Sequence, residues 1–93
     1  MRILSFTEKT LSHLRLTIKA TEKLMERGFK VCMLLEPNFV DLIAINNKEM
    51  QFIEVKSGKK WKFTRNEELV RKLCNAYGID YFVFNGEFHK LSG

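Results

Sequence analysis

One long helical pattern followed by three short apolar runs constrains this fold more than any other feature of the sequence. Apolar residues recur at steps of three and four, which predicts one buried stripe on a helix. The predicted stripe consists of Leu11, Leu14, Ile18, Thr21 and Met25. Ser5 and Glu8 match a capping box, and Gly28 supplies a left-handed stop. We therefore expect a first helix from about residue 6 to residue 27.

The three apolar runs are short, and polar or proline-containing turns separate them. Residues 30–36 form the first run, and Pro37 and Asn38 end it, because proline cannot donate to a central strand ladder. Residues 39–45 form the second run, and a polar turn separates it from the third run at residues 50–56. The pattern predicts three strands, with the second and third joined as a hairpin.

A second helix and a further strand complete the predicted domain. Thr64 and Glu67 offer another capping box, and Gly78 ends a helical pattern that contains Leu69, Val70, Leu73, Cys74 and Tyr77. Residues 81–84 predict a fourth strand, and residues 88–91 a short edge strand. Because the second helix can cross over the sheet, the fourth strand can run parallel to the third. We expect an α/β fold of order αβββαβ with a mixed central sheet, as a single domain over residues 1–93.

The net charge of +5 is concentrated in one segment of this 93-residue chain. Residues 56–72 hold seven basic and two acidic side chains, which accounts for the whole excess. Such a basic segment is typical of a surface that binds a polyanion, although a solvated loop and helix face would show the same charges. Cys32 and Cys74 lack the spacing of a zinc site or a disulfide framework, and no apolar run could cross a bilayer. We expect an intracellular, cytoplasmic protein (in the host cell if the source is viral), with no membrane partner and no small-molecule cofactor.

Carboxylates interrupt two of the apolar runs. Asp41 lies inside the second run and Glu54 inside the third. An isolated carboxylate in apolar surroundings costs several kcal/mol unless it is paired or bound to a metal. The period of two places Glu54 and Lys56 on one face of the third strand, and hairpin pairing can bring Asp41 beside Glu54.

This arrangement suits a hard divalent cation. Mg²⁺ prefers oxygen ligands and is often held by one or two carboxylates, with water and phosphate completing its shell. Asp41 and Glu54 are therefore candidate metal ligands, and the carbonyl of Val55 is an additional one. Lys56 could orient or deprotonate an attacking water and neutralise charge that develops on phosphorus.

The spacing from Asp41 to Glu54-Val55-Lys56 resembles the core of the PD-(D/E)xK nuclease superfamily, with Val40 in place of the proline. Archaeal Holliday-junction resolvases and small stand-alone VRR-type nucleases are the most similar groups in pattern. Their order of a helix ending in Gly-Phe, an aspartate strand and an ExK strand is matched by Gly28-Phe29, Val40-Asp41 and residues 53–56. The similarity continues through the second helix to residue 83.

The resemblance implies a restriction-endonuclease-like fold and a Mg²⁺- or Mn²⁺-dependent endonuclease that cuts structured or branched DNA as a homodimer. It assigns catalytic roles to Asp41, Glu54 and Lys56. The family also carries a glutamate on the first helix, for which Glu22 is the first candidate and Glu8, further away, is the second. A glutamine of the family has no clear counterpart here, and Asn66 is the closest residue.

Basic and aromatic residues alternate directly after the ExK strand. The basic side chains there can contact phosphates while the aromatic rings stack on exposed bases. Trp61 could equally be a core side chain under the loop. The predicted nucleic-acid-binding residues are Lys59, Lys60, Trp61, Lys62, Arg65, Asn66, Arg71 and Lys72. His13 and His89 are interpreted as structural residues, because neither has a ligand partner at a useful spacing.

Two other functions remain open from the sequence. The chain could be a nucleic-acid-binding module that keeps the fold without the chemistry. It could also be a protein-interaction domain whose basic segment meets an acidic partner, in which case DNA binding should lack a steep dependence on salt.

Overall fold

The part of the chain that the structure describes forms two helices and five strands. A computed structural model describes residues 5–35 and 39–91. The elements are α1 (Glu8–Glu26), β1 (Lys30–Met33), β2 (Leu42–Ile45), β3 (Met50–Val55), α2 (Arg65–Tyr77), β4 (Asp80–Phe84) and β5 (Phe88–Lys90). The strands follow chain order across one sheet, in which β3 and β4 are parallel and the other neighbouring pairs are antiparallel. The predicted αβββαβ order and mixed sheet are confirmed.

The buried side of α1 differs from the predicted stripe. Thr17, Ala20 and Leu24 are buried, whereas Ile18 and Met25 are 44% and 61% exposed. The helix also begins later than expected, because Thr7 rather than Ser5 is the N-cap and its side chain accepts a hydrogen bond from the backbone N–H of Thr10. The stripe prediction was wrong by a rotation of the helix, and this changes which polar side chains face the sheet.

The ends of α2 agree with the prediction. The Thr64 hydroxyl accepts from the backbone N–H of Glu67, and the Glu67 carboxylate accepts from the backbone N–H of Thr64 at 2.7 Å. This reciprocal pair satisfies two amides at the start of the helix. Gly78 closes the helix with a φ of 69°, in the left-handed region that glycine adopts at little cost.

The first two strands are shorter than predicted. β1 ends at Met33 and β2 begins at Leu42, so Asp41 lies just before its strand instead of inside it. The turn predicted at Pro37 and Asn38 lies outside the described residues. A backbone hydrogen bond from Leu34 to Asp41 continues the contact beyond the β1–β2 ladder, which keeps Asp41 close to the end of the sheet.

The core has two parts, one on each face of the sheet. Against α1, the buried residues are Ala20, Leu24, Leu42, Ala44, Ile53 and Phe84; against α2, they are Val40, Phe52, Val70, Cys74 and Tyr81. Period-two alternation in β3 divides its side chains between these faces, so Glu54 shares the α2 face with Phe52. Among the described residues, neither helix has an apolar stretch that could traverse a lipid bilayer.

Candidate active site

Asp41 and Glu54 meet at the end of the β2–β3 pair. Leu42 pairs with Ile53, and continuing this antiparallel register by one residue places Asp41 opposite Glu54. Asp41 Oδ2 accepts a hydrogen bond from the backbone N–H of Val55 at 2.7 Å, and the two carboxyl groups also share a hydrogen bond. Glu54 is only 6% exposed. The hairpin therefore places both predicted carboxyl groups at one point.

The two carboxyl groups hold their protons very differently. Burial raises the pKa of Glu54 to about 10, and the hydrogen bond to Asp41 and the charges of Asp41 and Glu67 act in the same direction. Burial would also raise the pKa of Asp41, but hydrogen bonds from His13, Glu54 and the Val55 amide hold that pKa below its usual value. Without a metal, the pair therefore carries one proton, which Glu54 holds, and one negative charge on Asp41.

His13 is a site residue that the sequence interpretation missed. Its Nε2 lies 3.4 Å from Asp41 Oδ2, and the side chain is about half exposed. The hydrogen bond to Asp41 raises the pKa of His13, with a further hydrogen bond to the Val55 backbone. One helical turn separates His13 from the buried Thr17, so the true inner face of α1 carries it to the site.

Glu22 does not reach this site. The side chain is exposed, and at 100° per residue it projects from the side of α1 opposite the buried Thr17, Ala20 and Leu24. Of the two α1 residues, His13 contacts Asp41 and Glu22 does not. A stripe drawn through Thr17, Ala20 and Leu24 would have indicated His13 from the sequence.

Lys56 is held in place by the first turn of α2. Its Nζ lies 3.1 and 3.2 Å from the two carboxylate oxygens of Glu67, and 5.1 Å from the centre of the Phe63 ring. Burial would raise the pKa of Glu67, but hydrogen bonds from the Thr64 amide and Lys56 lower it. Because Glu67 stays ionised and is fixed by the capping box, it fixes the ammonium group of Lys56 beside Glu54. Sequence reasoning identified Glu67 only as a cap.

The donors at this point fit a small divalent cation. Glu54 Oε2 is buried without a hydrogen-bond partner in the part of the chain that the structure describes. An extended residue points its N–H and C=O to the same side, so the Val55 carbonyl is directed toward Asp41. No cluster of three or more His, Cys, Asp or Glu side chains suited to a metal occurs within residues 5–35 and 39–91. Two carboxylates and one carbonyl, completed by water and phosphate, agree with Mg²⁺ or Mn²⁺ rather than zinc.

A cavity of about 260 Å³ opens beside the carboxylates, and we refer to it as the lysine cleft. Four lysines, two aromatic rings and the end of β3 form its walls. The lining residues are Lys9, His13, Val55, Lys56, Ser57, Lys60, Trp61 and Lys62. Of the predicted nucleic-acid-binding residues, the structure brings Lys60, Trp61 and Lys62 to the site, and Lys9 joins them from α1.

The remaining predicted nucleic-acid contacts are more dispersed. Lys59 is exposed on the loop beside the lysine cleft, while Arg65, Asn66 and Lys72 are exposed on α2. Arg71 is half-buried, with its guanidinium 5.9 Å from the centre of the Phe63 ring and 3.9 Å from Glu68. These five residues could extend a binding surface, but they do not line the lysine cleft.

Comparison with solved structures gives a match to a Holliday junction resolvase from the archaeal hyperthermophile Archaeoglobus fulgidus. The TM-score is 0.62, and the match covers 77% of this chain with 21% sequence identity. The chain has a restriction-endonuclease-like fold. This confirms the predicted fold class and the resemblance at the level of structure, while the matched region spans 62% of the resolvase chain. No protein-family model and no curated protein sequence matches this chain.

Proposed function

We propose that this chain is a nuclease that hydrolyses phosphodiester bonds in DNA with the help of Mg²⁺ or Mn²⁺. The observation that carries the proposal is the buried carboxyl pair of Asp41 and Glu54 directly beside the lysine cleft, with one Glu54 oxygen that has no hydrogen-bond partner among the described residues. The resolvase-like fold supports it. Structured or branched DNA is the proposed form of the substrate.

In this proposal, each group at the site has a distinct role. Asp41, Glu54 and the Val55 carbonyl would hold the cation, which when bound polarises a phosphate oxygen and acidifies a water. Lys56 would orient the attacking water and neutralise charge on the phosphate, and Glu67 keeps the ammonium group in position. His13 holds the Asp41 carboxylate through its imidazole N–H. The lysines of the cleft bind the flanking backbone phosphates.

A cleavage assay tests the proposed function. We expect the protein to cut labelled DNA in Mg²⁺ or Mn²⁺, and EDTA to stop the reaction. Single-stranded, duplex, flapped and four-way substrates should be compared at the same low salt, because phosphate contacts weaken steeply as salt rises. Salt-sensitive binding without cutting in any metal would contradict the nuclease and identify a binding module instead.

A homodimer is the proposed assembly, and the described residues include an exposed apolar surface that suits it. Helix α2 packs against β4, while α1 covers β1, β2 and β3 from the opposite face of the sheet. The α2 side therefore leaves apolar groups uncovered on β2, β3 and α2 itself. This apolar face consists of Phe39, Ile45, Met50, Leu69, Leu73 and Tyr77, which are between 38% and 77% exposed.

We infer that a second copy of the chain covers the apolar face. Its six side chains expose roughly 500 Å² of apolar surface, if a large side chain contributes about 150–250 Å² when fully exposed. A standard interface buries about 800 Å² per partner, of which roughly 60% is apolar, so the areas agree. The face also carries a cavity of about 160 Å³ between Phe39 and Leu73, next to the protruding Tyr77. A protruding side chain and a cavity on the same surface suit a dimer with a twofold axis, because each copy can insert its side chain into the cavity of the other.

Leu73→Glu should convert the dimer into monomers. A twofold axis buries the new carboxylate twice, so we expect dimer dissociation to rise at least about 100-fold. Sedimentation equilibrium measures this change. Met25→Glu is the matched control, because Met25 is 61% exposed on α1, outside the apolar face, and this variant should remain dimeric. A monomeric wild-type protein at high concentration, or equal effects of both variants, would contradict the assignment.

A further inference from the structure

Trp61 is held rigidly at the wall of the lysine cleft. Its indole N–H donates to the carbonyl oxygen of Gly58 at 3.0 Å, and the side-chain amide of Asn85 donates to the same oxygen at 2.7 Å. Asn85 also bonds the His89 ring at 2.9 Å, and that ring packs against the indole with centroids 5.0 Å apart. The β4–β5 turn thereby fixes both the basic loop and the orientation of the indole.

The indole is only partly buried, and it is exposed at the lysine cleft. His89 packs against the ring, yet Trp61 still lines the lysine cleft with Lys60 and Lys62. A base that stacks on an exposed aromatic ring gains about 1–3 kcal/mol, and little additional ordering is needed when the ring is already immobile. Ammonium groups around the same cavity attract the phosphates on either side of such a base. The cleft therefore offers a partner for both parts of a nucleotide: the indole ring for the flat base and the ammonium groups for the anionic backbone.

The position of the cleft relates that nucleotide to the carboxyl pair. Val55 and His13 line the cleft, and both also hydrogen-bond or contact Asp41. A nucleotide whose base lies on Trp61 would thus place a phosphate beside Asp41 and Glu54. A base inside a continuous duplex is stacked and paired with its neighbours, and extracting it costs a few kcal/mol. A base that is already unpaired avoids this cost.

We propose that the lysine cleft binds one unpaired nucleotide next to the phosphodiester to be cut, with its base stacked on Trp61. The location relative to the cleavage point rests on the proposed nuclease function. The substrate class becomes DNA with an unpaired nucleotide at or beside the cut, such as a single strand, a flap or an open branch point. Continuous duplex enters the cleft only after a base has been extruded.

Trp61 is the one tryptophan in the chain, so its fluorescence reports directly on the cleft. The protein in EDTA should be titrated with a single-stranded oligonucleotide, a flapped duplex and a blunt duplex of related sequence. We expect strong quenching by the first two and little quenching by the blunt duplex at equal occupancy, with occupancy measured from the anisotropy of a labelled DNA. Equal quenching by all three, or none, would overturn the proposal.

A second measurement separates stacking from damage to the loop. Trp61→Leu should weaken binding of the single strand by about 5- to 100-fold, Trp61→Phe should restore most of that loss, and Phe6→Leu, an exposed ring outside the cleft, should change nothing. An oligonucleotide with abasic sugars keeps the phosphates and lacks the bases, so Trp61→Leu should not affect its binding. Equal losses on normal and abasic strands would overturn the stacking role.

The two proposals fail in different ways. Quenching by unpaired DNA without cleavage in any metal would remove the nuclease function and leave the nucleotide-binding cleft in place. Cleavage without quenching would leave the nuclease function and remove the cleft as the binding site for an unpaired base.

Discussion

Replacing Asp41 by asparagine is expected to lower Mg²⁺-dependent cleavage at least about 1,000-fold while the protein stays folded. Asp41 carries the negative charge of the carboxyl pair, and its loss removes both a metal ligand and the charge that attracts the cation. Asparagine keeps a side-chain oxygen that can accept the 2.7 Å hydrogen bond from the Val55 amide. Single-turnover cleavage rates at saturating enzyme measure the effect without a contribution from DNA binding.

Asp80→Asn is the matched control for this experiment. Asp80 is a partly exposed carboxylate whose ion pair with Lys90, at 3.3 Å, lies outside the carboxyl site. The control should cleave at the wild-type rate, and Asp41→Asn should bind DNA in EDTA with an affinity near that of the wild type. Retention of cleavage by Asp41→Asn would exclude Asp41 as a metal ligand. Loss of cleavage together with loss of the folded structure would require the rate to be interpreted as a stability effect.

Much of the carboxyl site follows from local sequence rules. A polar turn at residues 46–49 joins two apolar runs, and the hairpin pairing across it continues to Leu42 and Ile53. Asp41 and Glu54 are the next residues along the two chains, so the same register brings them together. Period-two alternation then determines that Glu54 and Lys56 share a face. These relations involve neighbouring strands and few residues, so no knowledge of the distant helices is needed.

The contribution of α1 could not be predicted in the same way. The long apolar side chains of Ile18 and Met25 favoured a stripe that the fold leaves exposed. The structure instead buries Ala20 and Thr17, because small side chains allow a helix to approach a sheet closely. The Thr17 hydroxyl donates to the backbone carbonyl of His13 at 2.7 Å, which satisfies its polar group inside the core. An error in the rotation of one helix exchanged His13 for Glu22 at the site.

Glu54→Gln is expected to stabilise the metal-free protein at neutral and alkaline pH. The folded state raises the pKa of Glu54 to about 10, so it keeps a proton that the unfolded chain loses above about pH 4.5. The free energy of unfolding should therefore fall as pH rises between these values, by up to about 1.4 kcal/mol per pH unit. Because the pKa of His13 is also raised, the free energy of unfolding should fall further as the pH rises above 6.5. Asp41, with its lowered pKa, adds stability above pH 3.8 that is lost in acid.

Urea unfolding in EDTA from pH 5 to pH 9 measures this slope. Glutamine has no proton to lose, so the unfolding free energy of the variant should change less with pH than that of the wild type. At pH 8 the variant should be more stable by roughly 2–4 kcal/mol. Glu68→Gln, which changes a more exposed carboxylate on α2, should follow the wild-type slope. A parallel slope for Glu54→Gln would contradict the buried, protonated state of Glu54.

Mg²⁺ should reverse the order of stability of the wild type and the Glu54→Gln variant. Metal ligation requires ionised Glu54, so Mg²⁺ binding releases the proton of that carboxyl group. Because the proton is easier to remove at higher pH, Mg²⁺ should stabilise the wild type more as the pH rises. We expect added Mg²⁺ to raise the unfolding free energy of the wild type at pH 8 and to leave Glu54→Gln nearly unchanged. Because the same carboxyl group destabilises the metal-free fold and holds the cation, its retention in the sequence is better explained by metal binding than by stability. Equal stabilisation of both proteins by Mg²⁺ would place the cation elsewhere.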